Sequence, residues 1–231
     1  MNMKIQTLDG VIYVNSSENM WPEFNSCYKG DEMSTKMEIN HMNRLYRSRN
    51  PLVRYIHTKR LEIVKALVTG NKGKLLDCGC GEGHLLQEVG GEKYGIDSSH
   101  FALTKARERN PDAEILKGDL THLPFDDSSF DMVICSEVLE HIRDYRSAVS
   151  EIIRITKKAG RMVITVPNER NWTFGRLAML RFPVKLKDHL NSFTPSQLIK
   201  MFGSEPKQAK YIPFNLFQIS LVQIYEFVKK E

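Results

Sequence analysis

The chain has 231 residues, 41% of them hydrophobic and 26% charged, with a formal net charge of +5. This composition excludes a wholly disordered chain and supplies enough apolar mass for one sizeable core. The longest apolar run, 214–228, is interrupted by Asn215, Gln218, Ser220, Gln223 and Glu226, which excludes a bilayer-spanning helix there.

The first forty residues carry Lys4, Lys29 and Lys36 against six acids, and Asp9-Gly10 between short alternating runs signals a hairpin. Residues 1–50 are expected to form an N-terminal extension or lid, and 51–231 the main domain. Residues 41–73 reverse the charge: Arg44, Arg47, Arg49, Arg54, Lys59, Arg60, Lys65 and Lys72 face the single acid Glu62. Such a stretch suits an RNA or a lipid surface, and equally a solvated helix face. Four cysteines are too few for a disulfide scaffold, and the opening residues lack the apolar core of a secretory signal. A reduced, cytoplasmic protein is therefore expected.

From Pro51 the three- and four-residue spacing of Val53, Ile56, Leu61, Val64 and Leu67 predicts a helix that ends near Gly70. Strands are expected at 74–78, 93–96, 113–116, 131–135 and 161–166. Helices are expected at 84–89, 98–110, 136–143, 145–156 and 195–202, with closing strands near 209–212 and 219–228. Strands alternating with helices predict an α/β fold: a doubly wound, mostly parallel, seven-stranded sheet with helices on both faces.

The first of those strands runs into Asp77-Cys-Gly79-Cys-Gly81-Glu82-Gly83. Alternating glycines let a backbone approach a ligand at the carboxyl end of a parallel strand. A dinucleotide loop has G-x-G-x-x-G spacing and welcomes pyrophosphate, whereas this loop is G-x-G-x-G with Glu82 beside Asp77. Two carboxylates repel a pyrophosphate and suit a cation. Asp97 ends the second strand, where a carboxylate can accept bonds from ribose hydroxyls, and Asp119 follows the third, within reach of an exocyclic amine. The expected ligand is a nucleoside with a cationic tail, which points to S-adenosylmethionine.

The segments LLDCGCGEG, YGIDSS, GDLTHLPFDDSSFDMVICSEVLEHI and GRMVITVPN resemble, in order, the motifs of class I S-adenosylmethionine-dependent methyltransferases, especially the ubiquinone-biosynthesis group. The resemblance covers about 74–168, with a weaker echo at 189–202. It implies the Rossmann-like methyltransferase fold. It further implies that Gly79, Gly81 and Gly83 underlie the methionine part of the cofactor, with Asp77 at its amino group and Asp97 at its ribose. Asp119 and Leu120 would flank the adenine, and Ser136 would lie close by. A substrate-covering insertion is expected at about 167–193, where Trp172, Phe174, Met179, Leu180 and Phe182 stand.

Glu137, Glu140 and His141 stand at i, i+3 and i+4, one face of a helix over 136–143. With His189 they could ligate a divalent cation, an arrangement that resembles the two-glutamate, two-histidine site of small-RNA 2′-O-methyltransferases. The same run also occurs in metal-independent relatives, so His141 is equally a candidate acid, base or packing residue. The favoured function is O-methylation of a small or lipid-like molecule. RNA 2′-O-methylation and a non-catalytic, cofactor-binding partner subunit are the alternatives.

Overall fold

The computed structural model describes residues 4–8, 11–15, 48, 50–178 and 189–230. The chain divides into two compact units, Met1–His41 and Met42–Glu231. In the first, β1 (Lys4–Leu8) and β2 (Val11–Asn15) pair antiparallel, with Leu8 opposite Val11. This is the hairpin that Asp9-Gly10 signals. Arg44, Arg47 and Arg49 of the basic stretch, and Met179, Leu180 and Phe182 of the insertion, lie outside the described residues.

The second unit opens with α1 (Pro51–Val68). Asn50 caps it by accepting from the Leu52 and Val53 N–H groups, and Pro51 supplies a preset φ at its first position. At its other end the Thr69 N–H returns to the Lys65 carbonyl. Its inner face buries Ile56, Arg60, Val64, Leu67 and Val68.

Seven strands follow: β3 (Lys74–Cys78), β4 (Glu92–Asp97), β5 (Ala113–Lys117), β6 (Phe130–Ser136), β7 (Thr156–Pro167), β8 (Gln208–Ile212) and β9 (Val222–Val228). Their order in the sheet is β5-β4-β3-β6-β7-β9-β8, and β9 runs antiparallel to both of its neighbours. Interleaved are α2 (His100–Arg109), α3 (Tyr145–Ile155), α4 (Glu169–Ala178) and α5 (Pro195–Phe202). The expected doubly wound, mostly parallel sheet is present.

Period-two alternation divides the core between the two faces. Leu76, Val133 and Cys135 pack on one side with Ile152 of α3 and Leu198 of α5. Leu75, Met132 and Ile134 pack on the other with Val64 of α1 and Leu103 of α2. Burying each large aliphatic side chain contributes about 1.5–3 kcal/mol, so both helical layers are held by the same strands.

Two expected helices are absent. Between Gly83 and Gly90 there is one 3₁₀ turn, Leu86–Glu88, and in place of a helix over 136–143 there is another, Leu139–His141. Both segments are too short to repay helix nucleation. In the second, Glu137 adopts φ +58°, which breaks the helix at its second residue. The last strand also starts late, at Val222, because Phe217–Ile219 forms a 3₁₀ turn.

Candidate functional site

Sheet register places the carboxyl ends of four strands side by side. Cys78 pairs with Ile96 and with Cys135, Asp97 with Lys117, and Ser136 with Thr165. The candidate residues following these positions therefore share one edge of the sheet.

The glycine loop is tied down by its own backbone. The Gly79 and Cys80 N–H groups donate to the Ile96 carbonyl at 2.7 and 3.1 Å. Gly79, at φ +74°, comes so close to the segment after β6 that a Cβ would lie 2.4 Å from Val138 Cγ2. Gly81 differs: at φ +51° a Cβ would meet nothing within 4 Å. Its N–H donates to Asp97 Oδ2 at 2.9 Å, while Asp97 Oδ1 accepts from the Ser99 N–H, where α2 begins. Asp97 thus fixes the open part of the loop against a helix start. Gly83 packs on Ala106 and Asn110, and the Asn110 amide donates to its carbonyl.

Asp77 is only 4% exposed and makes no hydrogen bond or ion pair among the described residues. Burial, reinforced by the charge of Asp97, pushes its carboxyl up to about 7. Glu82 does not share this position. It turns towards His84 at 3.5 Å, Arg109 at 3.6 Å and Lys105 at 3.7 Å, so its charge is met by α2. The acidic pair at the loop is Asp77 with Asp97, where the sequence suggested Asp77 with Glu82.

The remaining cofactor candidates are differently placed. Asp119 is exposed just beyond β5 and accepts from the Thr121 N–H at 2.9 Å. The neighbouring Gly118 N–H donates to the Asp97 carbonyl, which holds the two strand ends together. The Leu120 side chain lies in the core. Ser136 bonds to Thr165 Oγ1 at 2.9 Å, across β6 and β7. Cys78, Cys80 and Cys135 are free and buried, and burial pushes all three thiols up, which leaves them inert at neutral pH.

Beyond Ser136 the chain builds a second cluster. The Glu140 carbonyl accepts from the Leu190 and Asn191 N–H groups at 2.8 and 3.1 Å, and the Asn191 amide donates to the carbonyls of Leu139 and Ile142. This zipper seats His189 beside His141, their rings edge-to-face with centroids 4.8 Å apart. His189 Nδ1 lies 2.5 Å from Glu169 Oε1, and His141 Nε2 lies 3.9 Å from Glu140 Oε1. One ligand atom from each of Glu140, His141 and His189 falls within 4.8 Å of the others. Glu140 is 1% exposed, and neither of its carboxylate oxygens has a hydrogen-bond partner. Burial, then the charge of Glu137, pushes its carboxyl well above the usual range.

Glu137 is not in this cluster. Its carboxylate accepts from Thr165 Oγ1 at 3.1 Å and lies 3.3 Å from Arg60 Nη1. The left-handed turn at Glu137 sends its side chain towards α1 instead of along the face of a helix. Sequence reasoning passed over Arg60, Thr165, Glu169 and Asn191, each of which meets the site only through tertiary contact.

A methyltransferase-domain family model matches residues 76–164. The demethylmenaquinone methyltransferase of Thermotoga maritima is 34% identical over 180 residues, covering 67% of this chain and 78% of that protein. The chain belongs to the class I S-adenosylmethionine-dependent methyltransferase family. Another member, described as a "Probable S-adenosylmethionine-dependent methyltransferase" in Mycolicibacterium smegmatis, is 31% identical over 134 residues, or 57% of this chain. The chain spans about half, 51%, of that relative's length and 38% of two related Mycobacterium tuberculosis proteins. Among solved structures, magnesium protoporphyrin IX methyltransferase from Synechocystis, with bound SAH, superposes with a TM-score of 0.64 at 20% identity. That superposition covers 85% of this chain and 95% of the other, and it shows the shared fold of the methyltransferase family. No helix among the described residues is long and apolar enough to cross a membrane.

Proposed function

We propose that the chain transfers a methyl group from S-adenosylmethionine to an oxygen of a small or lipid-like acceptor. The observation that carries this reading is Asp77: a buried carboxylate with no cationic partner, next to Asp97 and the open face of Gly81. A buried charge without compensation is costly, and a ligand ammonium at that position would remove the cost.

In this reading Asp77 holds the methionine ammonium and the Gly79–Gly83 backbone underlies the methionine chain. Asp97 has lone pairs left to accept from ribose hydroxyls, having spent one on each of two backbone donors. Asp119 faces the exocyclic amine of adenine, with Leu120 supporting it from the core, and Ser136 lies at the cofactor's edge. When bound, S-adenosylmethionine supplies an electrophilic methyl on a sulfonium. The chain's share is to align the acceptor oxygen, exclude water and remove the hydroxyl proton. In this reading His141, on the first turn after β6 and exposed along one edge, takes that proton.

The relative from Thermotoga maritima supports a lipid-like acceptor through its name, demethylmenaquinone methyltransferase. So does Leu190, exposed beside His189, and so does Phe174 on α4, which is 74% exposed. The RNA reading loses much of its footing. Lys59 pairs with Glu62, Arg60 with Glu137 and Lys65 with Glu88, so three of the five described basic residues in that stretch are already matched. Trp172, a candidate for base stacking, packs on the core. A cytoplasmic setting fits three free, buried cysteines.

The test is transfer of a tritiated methyl group to fractionated cell extract, with lipid, small polar and RNA pools counted separately. Label in the lipid or small-molecule pool supports the proposal. Label in RNA alone overturns the acceptor assignment, and no label in any pool, with cofactor binding intact, favours a partner subunit without its own activity.

A further inference from the structure

We propose that the loop between β8 and β9, together with the outer side of α4, docks the chain on an anionic lipid bilayer. This surface lies beside the candidate site and shares no residue with the cofactor edge.

Its position follows from the sheet register. The loop leaves β8 at Ile212 and enters β9 at Val222, which pair with each other, and Val222 stands opposite Pro167 at the carboxyl end of β7. The loop therefore emerges at the sheet edge that carries Ser136 and the glycine loop. The Asn168 amide donates to the Phe217 carbonyl, and the Asn171 amide to the carbonyls of Gln218 and Ser220. The loop and the start of α4 are thus one surface. Phe174 stands one turn beyond Asn171, on that same side of the helix.

Its composition is unusual for an exposed loop. Phe214 and Leu216 are each 59% exposed and Ile219 is 51% exposed. Single exposed apolar side chains are ordinary, whereas a concentration of them marks an interaction surface. Here they are concentrated. Phe101 excepted, every exposed large apolar side chain among the described residues stands on this loop, on α4, at Leu190 or on the first turns of α1. Those first turns, with Leu52 and Tyr55, head for the same edge. The other end of α1, at the Leu67 carbonyl, is held by Arg161, well before the carboxyl end of β7.

Charge selects the occupant. Residues 208–225 hold Lys210 and no acid, and α4 beyond Glu169 adds Arg170 and Arg176 and no acid. Glu169 itself is buried against His189. Arg54 is exposed between Leu52 and Tyr55. An apolar loop among basic residues, with no carboxylate to repel phosphate, matches the interface of an anionic membrane.

The test involves no methyl transfer, so its failure leaves the proposed chemistry standing. The purified chain is sedimented with vesicles of phosphatidylcholine alone and of equimolar phosphatidylcholine and phosphatidylglycerol. Binding to the anionic vesicles is expected, about tenfold tighter than to the neutral ones. Phe214→Ser combined with Leu216→Ser should weaken it by about tenfold or more, and Lys210→Glu by a few-fold. Phe101→Ser, at an exposed aromatic outside the surface, should leave it unchanged. An unaltered thermal midpoint in each variant checks the fold. No sedimentation with anionic vesicles overturns the proposal, as does equal binding to both vesicles or binding that the paired loop substitutions leave intact. Sedimentation velocity without lipid examines the other occupant. A dimer that the same substitutions split would assign the surface to a second copy of the chain and overturn the proposal too.

Discussion

Arg60 Nη1 lies 3.3 Å from Glu137 Oε2, and this ion pair joins the middle of α1 to the turn that follows β6. Arg60 is almost fully buried, so a residue that reads as part of a basic surface is a structural cation. Its partner is held in the left-handed region by an N–H bond to the Thr165 carbonyl and by the Thr165 hydroxyl. The pair therefore sets where the chain goes next, into Glu140 and His141.

Removing one member of a buried pair leaves the other charge uncompensated, at a cost of about 3–5 kcal/mol. Arg60→Ala should lower the urea midpoint accordingly, whereas Arg54→Ala, on the exposed side of the same helix, should change stability by less than about 0.5 kcal/mol. Equal effects would show that the pair has no structural role.

Gly79 and Gly81 should respond differently to the same substitution. Gly79→Ala forces a Cβ against Val138 at a positive φ and should destabilise by about 2–4 kcal/mol. Gly81→Ala meets no protein atom and should cost about 1 kcal/mol in backbone strain. It should instead weaken S-adenosylhomocysteine on the order of tenfold, or 1.4 kcal/mol. Calorimetry and thermal unfolding on the two variants measure both arms.

Asp77 makes both stability and affinity depend on pH. Its carboxyl is raised from 3.8 to about 7 by burial and by Asp97, so the folded chain holds a proton that the unfolded chain releases. The associated stability is fully present below pH 3.8 and is lost as pH rises through 7, by up to about 4 kcal/mol. Asp77→Asn should flatten this slope and be more stable than the unmodified chain at pH 8. A ligand ammonium needs the ionised form, so affinity for S-adenosylhomocysteine should rise between pH 6 and pH 8, with proton release on binding. Titration in two buffers of different ionisation enthalpy detects that proton.

Residues that act through local pattern were legible in the sequence. Strand alternation gave the sheet and its two faces, and Gly79 to Gly83 after an apolar strand marked the loop and the acids beside it. What stayed hidden depends on contacts between distant segments. Glu82 looked like part of the ligand field, but Lys105 and Arg109, a helix away, claim it. Glu137 looked like a ligand on a helix face, but Arg60 and Thr165 turn it out of the cluster. Glu169 carries no local signal at all. The return of the chain at His189 brings it an imidazole partner.

The central claim is that the Asp77–Gly81–Asp97 edge receives an adenosyl ligand with a cationic tail. Calorimetric titration of the purified chain with S-adenosylhomocysteine and, separately, with NAD⁺ tests it most directly. One site for S-adenosylhomocysteine is predicted, weakened at least tenfold in Asp77→Ala and in Asp97→Ala, with no heat from NAD⁺. Binding of NAD⁺ with no response to S-adenosylhomocysteine would contradict the claim.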